Sequence, residues 1–310
     1  MNEPHTTIIE EKQFEAPGCQ ICPRNCGAKR AEGRKGVCGA PETILVSRAA
    51  LHMWEEPCIS GTEGSGAVFF AGCPLHCVYC QNYMISWGHG LEVTLERLAD
   101  IFLELQQENA NNINLVTPTH YSLQIADAVR MARAKGLTIP IVYNCSGYEK
   151  VETLRQLEGI VDIYLTDFKY PDREGAEKYS HAPDYPEIAY AALEEMVRQQ
   201  PKPEFDERGM MKKGVIVRHL LLPGRVKKAK DVVKLVYEAF GDQVYVSLMN
   251  QYTPFERVGE KYPELARKVT DREYGRLLDF AMDLGMEQCF IQEGETAEES
   301  FIPAFDGKGV

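Results

Sequence analysis

The stretch AVFFAGCPLHCVYCQNY, residues 67–83, decides how this chain is read. An apolar, partly aromatic run ends at Gly72, and Cys73, Cys77 and Cys80 follow within eight residues. The run has the composition of a buried strand. A glycine at its end leaves the backbone free to wrap whatever the thiols hold. Three thiolates at this spacing suit a metal ion or an iron–sulfur cluster. Three protein ligands leave one coordination position open, as catalytic sites do. A zinc site completed by His76 or another cysteine is the alternative that spacing leaves standing.

The pattern that begins here repeats down the chain. Strand-like runs at 67–71, 113–116, 139–144, 162–168, 214–222, 244–249 and 288–292 alternate with helical segments near 94–107, 121–135, 149–158, 186–199, 228–240 and 271–284. Six βα units and a final strand predict an α/β protein with a parallel sheet covered on its outside. Periodicity does not choose between a barrel-like and a doubly wound sheet. Polar residues follow the strand ends: TPTHY after the second, NCSGYE after the third, TDFKY at the fourth and NQYTP after the sixth. Ligands of parallel sheets collect at the carboxyl edge, where several loops surround one crevice. A site assembled from six loops is expected there. The stretches 170–185 and 200–213 read as polar connecting loops.

Residues 1–66 stand apart as a cysteine-rich N-terminal extension to the unit formed by 67–310. Cys19, Cys22, Cys26 and Cys38 place four thiols in twenty residues, interleaved with Arg24, Lys29, Arg30, Arg34 and Lys35. Such a quartet fits a closed zinc site or an auxiliary iron–sulfur cluster, and the cations would offset its negative charge. Eight of the ten cysteines thus fall in the first 80 residues. The opening MNEPHTTIIEEKQFEAP lacks a basic stretch followed by an apolar one, and no apolar run approaches the roughly 18 residues of a membrane span. The expectation is a cytoplasmic protein without membrane association, where thiols stay reduced and bind metal more often than they pair.

The composition, 44% apolar and 26% charged, is that of a globular domain. A net charge of −12 argues against a general nucleic-acid-binding surface. The exception is 208–230, with eight Lys or Arg and no acid, which reads as a solvated face rather than a docking site. Cys58, Cys145 and Cys289 read as small core or loop residues. His52, His120 and His219 read as structural.

Strand, cysteine triplet and repeated βα units together resemble the radical S-adenosylmethionine (SAM) superfamily, with an aromatic residue, Tyr79, just before the last cysteine. More narrowly the chain is similar to the pyruvate formate-lyase activating enzyme-like branch, including members with an N-terminal Cys-x2-Cys-Pro-Arg-x-Cys segment. The resemblance runs from Cys19 to Glu293. It implies a partial (β/α)6 barrel, a 4Fe-4S cluster on Cys73, Cys77 and Cys80, and SAM chelated to the cluster's unique iron. One-electron reduction would cleave the sulfonium, and the 5′-deoxyadenosyl radical would abstract hydrogen from a substrate. A dry, shaped cavity would keep that radical from side reactions.

The resemblance also implies roles by position. Tyr79 would lie near the adenine. Thr117 and Thr119 stand where many relatives carry a Gly-Gly-Glu motif for the methionine amino group, and their oxygens could serve instead. Asn144 and Ser146 would bond the ribose or carboxylate, and Arg218 the carboxylate by a bidentate contact. Asp167 and Lys169 resemble a charged pair found at this level in the branch. An auxiliary cluster ahead of the barrel departs from the glycyl-radical activating enzymes.

The leading expectation is therefore a radical SAM enzyme. It would be served by a flavodoxin- or ferredoxin-type electron donor and act on a protein or small-molecule substrate. The alternatives are an iron–sulfur electron-transfer protein and a zinc-stabilised interaction module.

Overall fold

The computed structural model describes residues 18–292 and 303–310. Glu293, the far end of the resemblance, lies outside them. The strands are β1 (Ile44–His52), β2 (Ser65–Phe70), β3 (Leu91–Val93), β4 (Ile113–Val116), β5 (Ile141–Cys145), β6 (Ile163–Asp167), β7 (Glu204–Phe205), β8 (Met211–Leu220), β9 (Tyr245–Met249) and β10 (Cys289–Ile291). The helices are α1 (Pro57–Ser60), α2 (Tyr83–Ser86), α3 (Leu95–Gln107), α4 (Ser122–Ala134), α5 (Val151–Gln156), α6 (Arg173–Ser180), α7 (Tyr185–Gln199), α8 (Val226–Phe240), α9 (Glu256–Gly259) and α10 (Asp271–Asp283).

The strand order β10-β9-β8-β6-β5-β4-β2-β1-β3 resolves the choice that periodicity leaves open. From β2 to β10 each new parallel strand is added on the same side of the last. A doubly wound sheet reverses direction at a switch point, and a barrel does not. Both ends of the order stay unpaired with one another, so the protein is a partial barrel, as the resemblance implies.

Residues 1–66, read as a cysteine-rich extension, also contribute to the sheet. β1 pairs antiparallel with β2, and β3 antiparallel with β1. The boundary between 66 and 67 falls inside β2. The loop expected at 170–185 holds α6, whose N-cap Asp172 accepts from the Gly175 amide and whose inner face is Ala176 and Tyr179. The loop expected at 200–213 holds β7, hairpinned onto the early start of β8.

Strand alternation then builds the interior. Outward residues such as Phe70, Leu115, Tyr143, Tyr164 and Val217 join the helices in one large core. Inward apolar residues form smaller clusters, Val142, Ile163, Leu165 and Ile216 in one, Ala67, Phe69 and Val116 in another. Among inward positions Asn114, Asn144, Asp167, Arg218 and Ser247 are polar, and strand pairing puts Asp167, Arg218 and Ser247 in one row. Among the described residues no helix is long and apolar enough to cross a membrane.

Phe70 is fully buried between the sheet and Tyr121. Phe70→Ala is expected to cost about 3–5 kcal/mol, read from the shift of a urea denaturation curve. A loss under about 1 kcal/mol would contradict this packing.

Candidate active site

β2 delivers the thiol loop. Gly72 takes φ 98° and sits so close to the Cys38 carbonyl that a Cβ there would stand 2.8 Å from the oxygen. The Cys73 amide donates to that carbonyl at 3.2 Å. His76, at φ 49°, turns the loop back. Its Nε2 donates to the Val37 carbonyl at 2.8 Å and its ring stacks on Trp87. His76 is not among the residues facing the cavity, whereas Cys73, Cys77 and Cys80 are.

A chain of hydroxyls backs the thiols. Ser180 donates to Cys77 Sγ at 3.0 Å, the Tyr170 hydroxyl bonds Ser180 at 2.6 Å, and the Tyr79 hydroxyl bonds Tyr170 at 2.8 Å. The ring of Tyr79 meets Tyr179 and Tyr252 edge-on, so its hydroxyl and ring are held by the core while the residue borders the cavity. Burial, reinforced by the neighbouring Cys77, pushes the Cys73 thiol up to about 11 and raises Cys80 further. Iron bound here would deprotonate such thiols outright, as metals do.

The cavity, ≈ 340 Å³, lies inside the barrel, bordered by the thiol loop at one end and by residues 54–57 at the other. Of the residues the resemblance brought forward, Thr117, Asn144, Ser146, Asp167, Lys169 and Arg218 face it with Tyr79 and the three cysteines. Lys169 Nζ donates to Asp167 Oδ2. Arg218 Nη2 donates to Asn144 Oδ1 at 2.6 Å, and its Nε lies 3.3 Å from Asp167 Oδ1 as an ion pair without hydrogen-bond alignment. Burial alone would raise Asp167, but Lys169 and Arg218 outweigh it and hold the carboxyl below its usual range. Burial would lower Lys169, but Asp167 reverses this and keeps the ammonium charged. The Ser146 hydroxyl and Arg218 Nε are buried without hydrogen-bond partners, and both residues face the cavity. Thr117 holds a left-handed backbone, φ 58°.

Sequence reading missed Glu55 and Glu56, which border the same cavity. Glu55 accepts from Arg218 Nη1 at 3.0 Å, from Asn114 at 3.0 Å and from Asn144 at 3.3 Å. Nothing local marks them: Glu55 and Arg218 are 163 residues apart. The only available signal was that two adjacent acids follow an apolar run at 44–52. His52 also borders the cavity, against Phe69. His120 and His219 are buried and donate to the Ala71 and Phe168 carbonyls, the structural role expected of them.

The N-terminal quartet packs against the outside of the thiol loop. Backbone bonds from Cys19 to Ala28, Gly27 to Cys19 and Asn25 to Cys22 fold residues 19–28 into a knuckle. A Cβ on Gly36 would stand 2.5 Å from Cys26 Sγ, so only glycine fits there. Arg24 spreads its guanidinium over the carbonyls of Pro74, Ser180 and His181. Burial lifts Cys22 to about 12 and raises Cys38. Among the described residues no three His, Cys, Asp or Glu converge as the ligands of a single ion.

Fold and thiol loop together define the class: the chain matches the Radical SAM superfamily over residues 67–236 and belongs to it. Membership implies the superfamily's cofactors, a 4Fe-4S cluster and SAM. The chain is 29% identical over 282 residues to the uncharacterized protein MJ0674 of Methanocaldococcus jannaschii, covering 88% of this chain and 76% of that protein. Among solved structures it is similar to HydG, a maturase of the FeFe-hydrogenase (TM-score 0.50, 15% identity, 73% of this chain and 51% of HydG). It is also similar to Streptococcus suis SuiB bound to its precursor peptide SuiA (TM-score 0.49, 14% identity, 72% of this chain and 46% of SuiB). The chain spans about half the length of these two structures.

Thr119 alone of the named site residues in the barrel turns away from the cavity. Its hydroxyl donates to Glu149 at 2.7 Å, and Tyr143 donates to the other oxygen at 3.1 Å. Burial outweighs these bonds and pushes Glu149 up to about 8 from 4.5. The folded state therefore keeps a proton that the unfolded chain releases. That stability is full below the unfolded value and is lost as pH rises to about 8. Glu149→Gln, neutral throughout, is expected to flatten the fall in urea midpoint between about pH 5 and about pH 8. Equal slopes for the two proteins would contradict a buried, proton-holding Glu149.

Proposed function

We propose that this chain is a radical SAM enzyme of the pyruvate formate-lyase activating enzyme-like branch, with Cys73, Cys77 and Cys80 holding the 4Fe-4S cluster. What carries the reading is that these three thiols face one cavity with Asn144, Ser146, Asp167, Lys169 and Arg218, delivered by three other strands. When bound, the cluster and SAM supply a one-electron cleavage of the sulfonium C–S bond, leaving methionine and a 5′-deoxyadenosyl radical that abstracts hydrogen. An electron-transfer protein or a docking module needs no such gathering of polar side chains from several strands beside its thiols.

The chain's own residues prepare this chamber. Three thiols on one loop suit three cluster corners and leave the fourth for SAM. Lys169 lies close enough to Cys73 and Cys80 to favour their charged forms, and Ser180 adds a hydrogen bond to Cys77. The Ser146 hydroxyl, buried without a hydrogen-bond partner, and Arg218 Nε, ion-paired to Asp167 without hydrogen-bond alignment, are donors suited to the ribose or carboxylate of SAM. With Thr119 committed to Glu149, acceptors for the amino group fall to Thr117 and the backbone around it. The substrate is a protein or a small molecule, a protein glycine being the branch's precedent, and a flavodoxin- or ferredoxin-type protein supplies the electron. Cys19, Cys22, Cys26 and Cys38 would make a second metal site, iron–sulfur or zinc, by closing their thiols together on binding, since no three of them converge without it.

Anaerobically reconstituted, reduced protein is expected to form 5′-deoxyadenosine from SAM, measured by chromatography, and Cys77→Ala to form none. Retention of iron absorbance and turnover in the alanine variant would overturn the ligand assignment. Iron, sulfide and zinc analysis of the same preparation, with Cys22→Ala beside it, separates a second cluster from a zinc site.

A further inference from the structure

The far end of the cavity is furnished differently from the thiol end. Because β1 runs antiparallel to β2, with His52 opposite Ser65, it leaves the sheet at the amino edge, away from the cysteines. Residues 53–56 fold across that edge before α1, and the two carboxylates there have different surroundings. Glu55 is saturated by Arg218, Asn114 and Asn144. Glu56 is 7% exposed and borders the cavity, yet its Oε2 has no hydrogen-bond partner. The Ser247 hydroxyl of β9 stands beside the same carboxylate.

Charge pairing sharpens the contrast. Of the acids around the cavity, Glu55 has Arg218 at 3.0 Å and Asp167 has Lys169. Glu56 feels the charge of Arg218 but makes no direct ion pair among the described residues, and His52 is held neutral by burial and by the nearby Arg218 and Arg48. A buried carboxylate with a bare oxygen is costly, so such a group calls for a partner that arrives. Helix α1 does not need the side chain, since the backbone carbonyl of Glu56 accepts the Ile59 and Ser60 amides.

We propose that Glu56 is a substrate-recognition residue and that the floor of the cavity seats a cationic nitrogen, an ammonium or a guanidinium, of the molecule that undergoes hydrogen abstraction. The inference rests on the radical SAM reading above. A cation on Glu56 completes the charge pairing of the chamber and orients the rest of the substrate toward the thiol end. The same chemistry is presented by a free amine and by a lysine- or arginine-like side chain of a peptide.

The test uses the full chain with its cluster reconstituted and SAM present. Calorimetry compares n-butylguanidinium with n-butylurea, n-pentylammonium with 1-pentanol, and an acetylated Gly-Gly-Arg-Gly-Gly amide with its citrulline counterpart. At least one cation is expected to bind about tenfold or more tighter than its neutral match, and Glu56→Gln to erase that preference. The pair that responds, small molecule or peptide, identifies the source of the cation. No preference in the wild-type protein would overturn the proposal without recourse to any variant, as would a preference that survives Glu56→Gln. Formation of 5′-deoxyadenosine by the same wild-type preparation is scored separately, so failure of the radical SAM reading is distinguishable from failure at Glu56.

Discussion

The guanidinium of Arg218 is the tie on which the interior depends. From the eighth residue of β8 it reaches Glu55 beyond β1, Asn144 on β5 and Asp167 on β6. Few side chains present five donors in a fork stiff enough to hold three elements at once. Removing one partner from a buried pair of this kind costs about 3–5 kcal/mol, because the other charge is then left in a medium that cannot solvate it. Replacing the whole set by apolar residues could match that stability, so stability alone does not explain a charged interior. What the network fixes is position: the acid of Asp167, the ammonium of Lys169 and the amide of Asn144 stand around one volume.

How far the sequence announces this depends on whether the chemistry is local. The triplet is legible because all three thiols and the glycine before them lie in nine residues, 72–80, so spacing itself encodes geometry. Each parallel strand is legible because burial on both faces demands an apolar run. β1 is harder: ILVSRAALH breaks its apolar run with Ser47 and Arg48, and only pairing with β2 and β3 makes it a strand. α6, REGAEKYS, is mostly polar and forms against the core through Ala176 and Tyr179. Barrel closure against double winding is a matter of strand order, which composition does not carry. The role of Glu55 is invisible for the same reason, since it is defined by a partner 163 residues away.

Thr117 and Thr119 show how fine the discrimination becomes at a strand end. They are two residues apart, and in a continuing strand both would face the same side. The left-handed turn at Thr117 and the short helical turn at Thr119–Tyr121 end that alternation. Thr117 stays at the cavity while Thr119 is carried to the buried carboxylate of Glu149. A motif comparison aligns residues along the chain, and it takes the backbone to say which side of the sheet each one reaches.

The N-terminal segment then acquires a meaning that its cysteine count conceals. At the upper end of the chamber the Cys38 carbonyl holds the Cys73 amide, and Arg24 binds the carbonyls of Pro74 and Ser180, next to Cys73 and at the residue that donates to Cys77. At the lower end β1, which runs against the parallel set, brings Glu55 and Glu56 to the floor. A purely parallel barrel delivers its functional side chains to one edge, because every βα connection emerges there. Adding one antiparallel strand ahead of the barrel is the simplest way to furnish the opposite edge as well. Residues 18–64 thus reach both ends of a cavity whose walls come from the rest of the chain. The hydrogen bond from the Cys73 amide to the Cys38 carbonyl joins the quartet's segment directly to the triplet's loop.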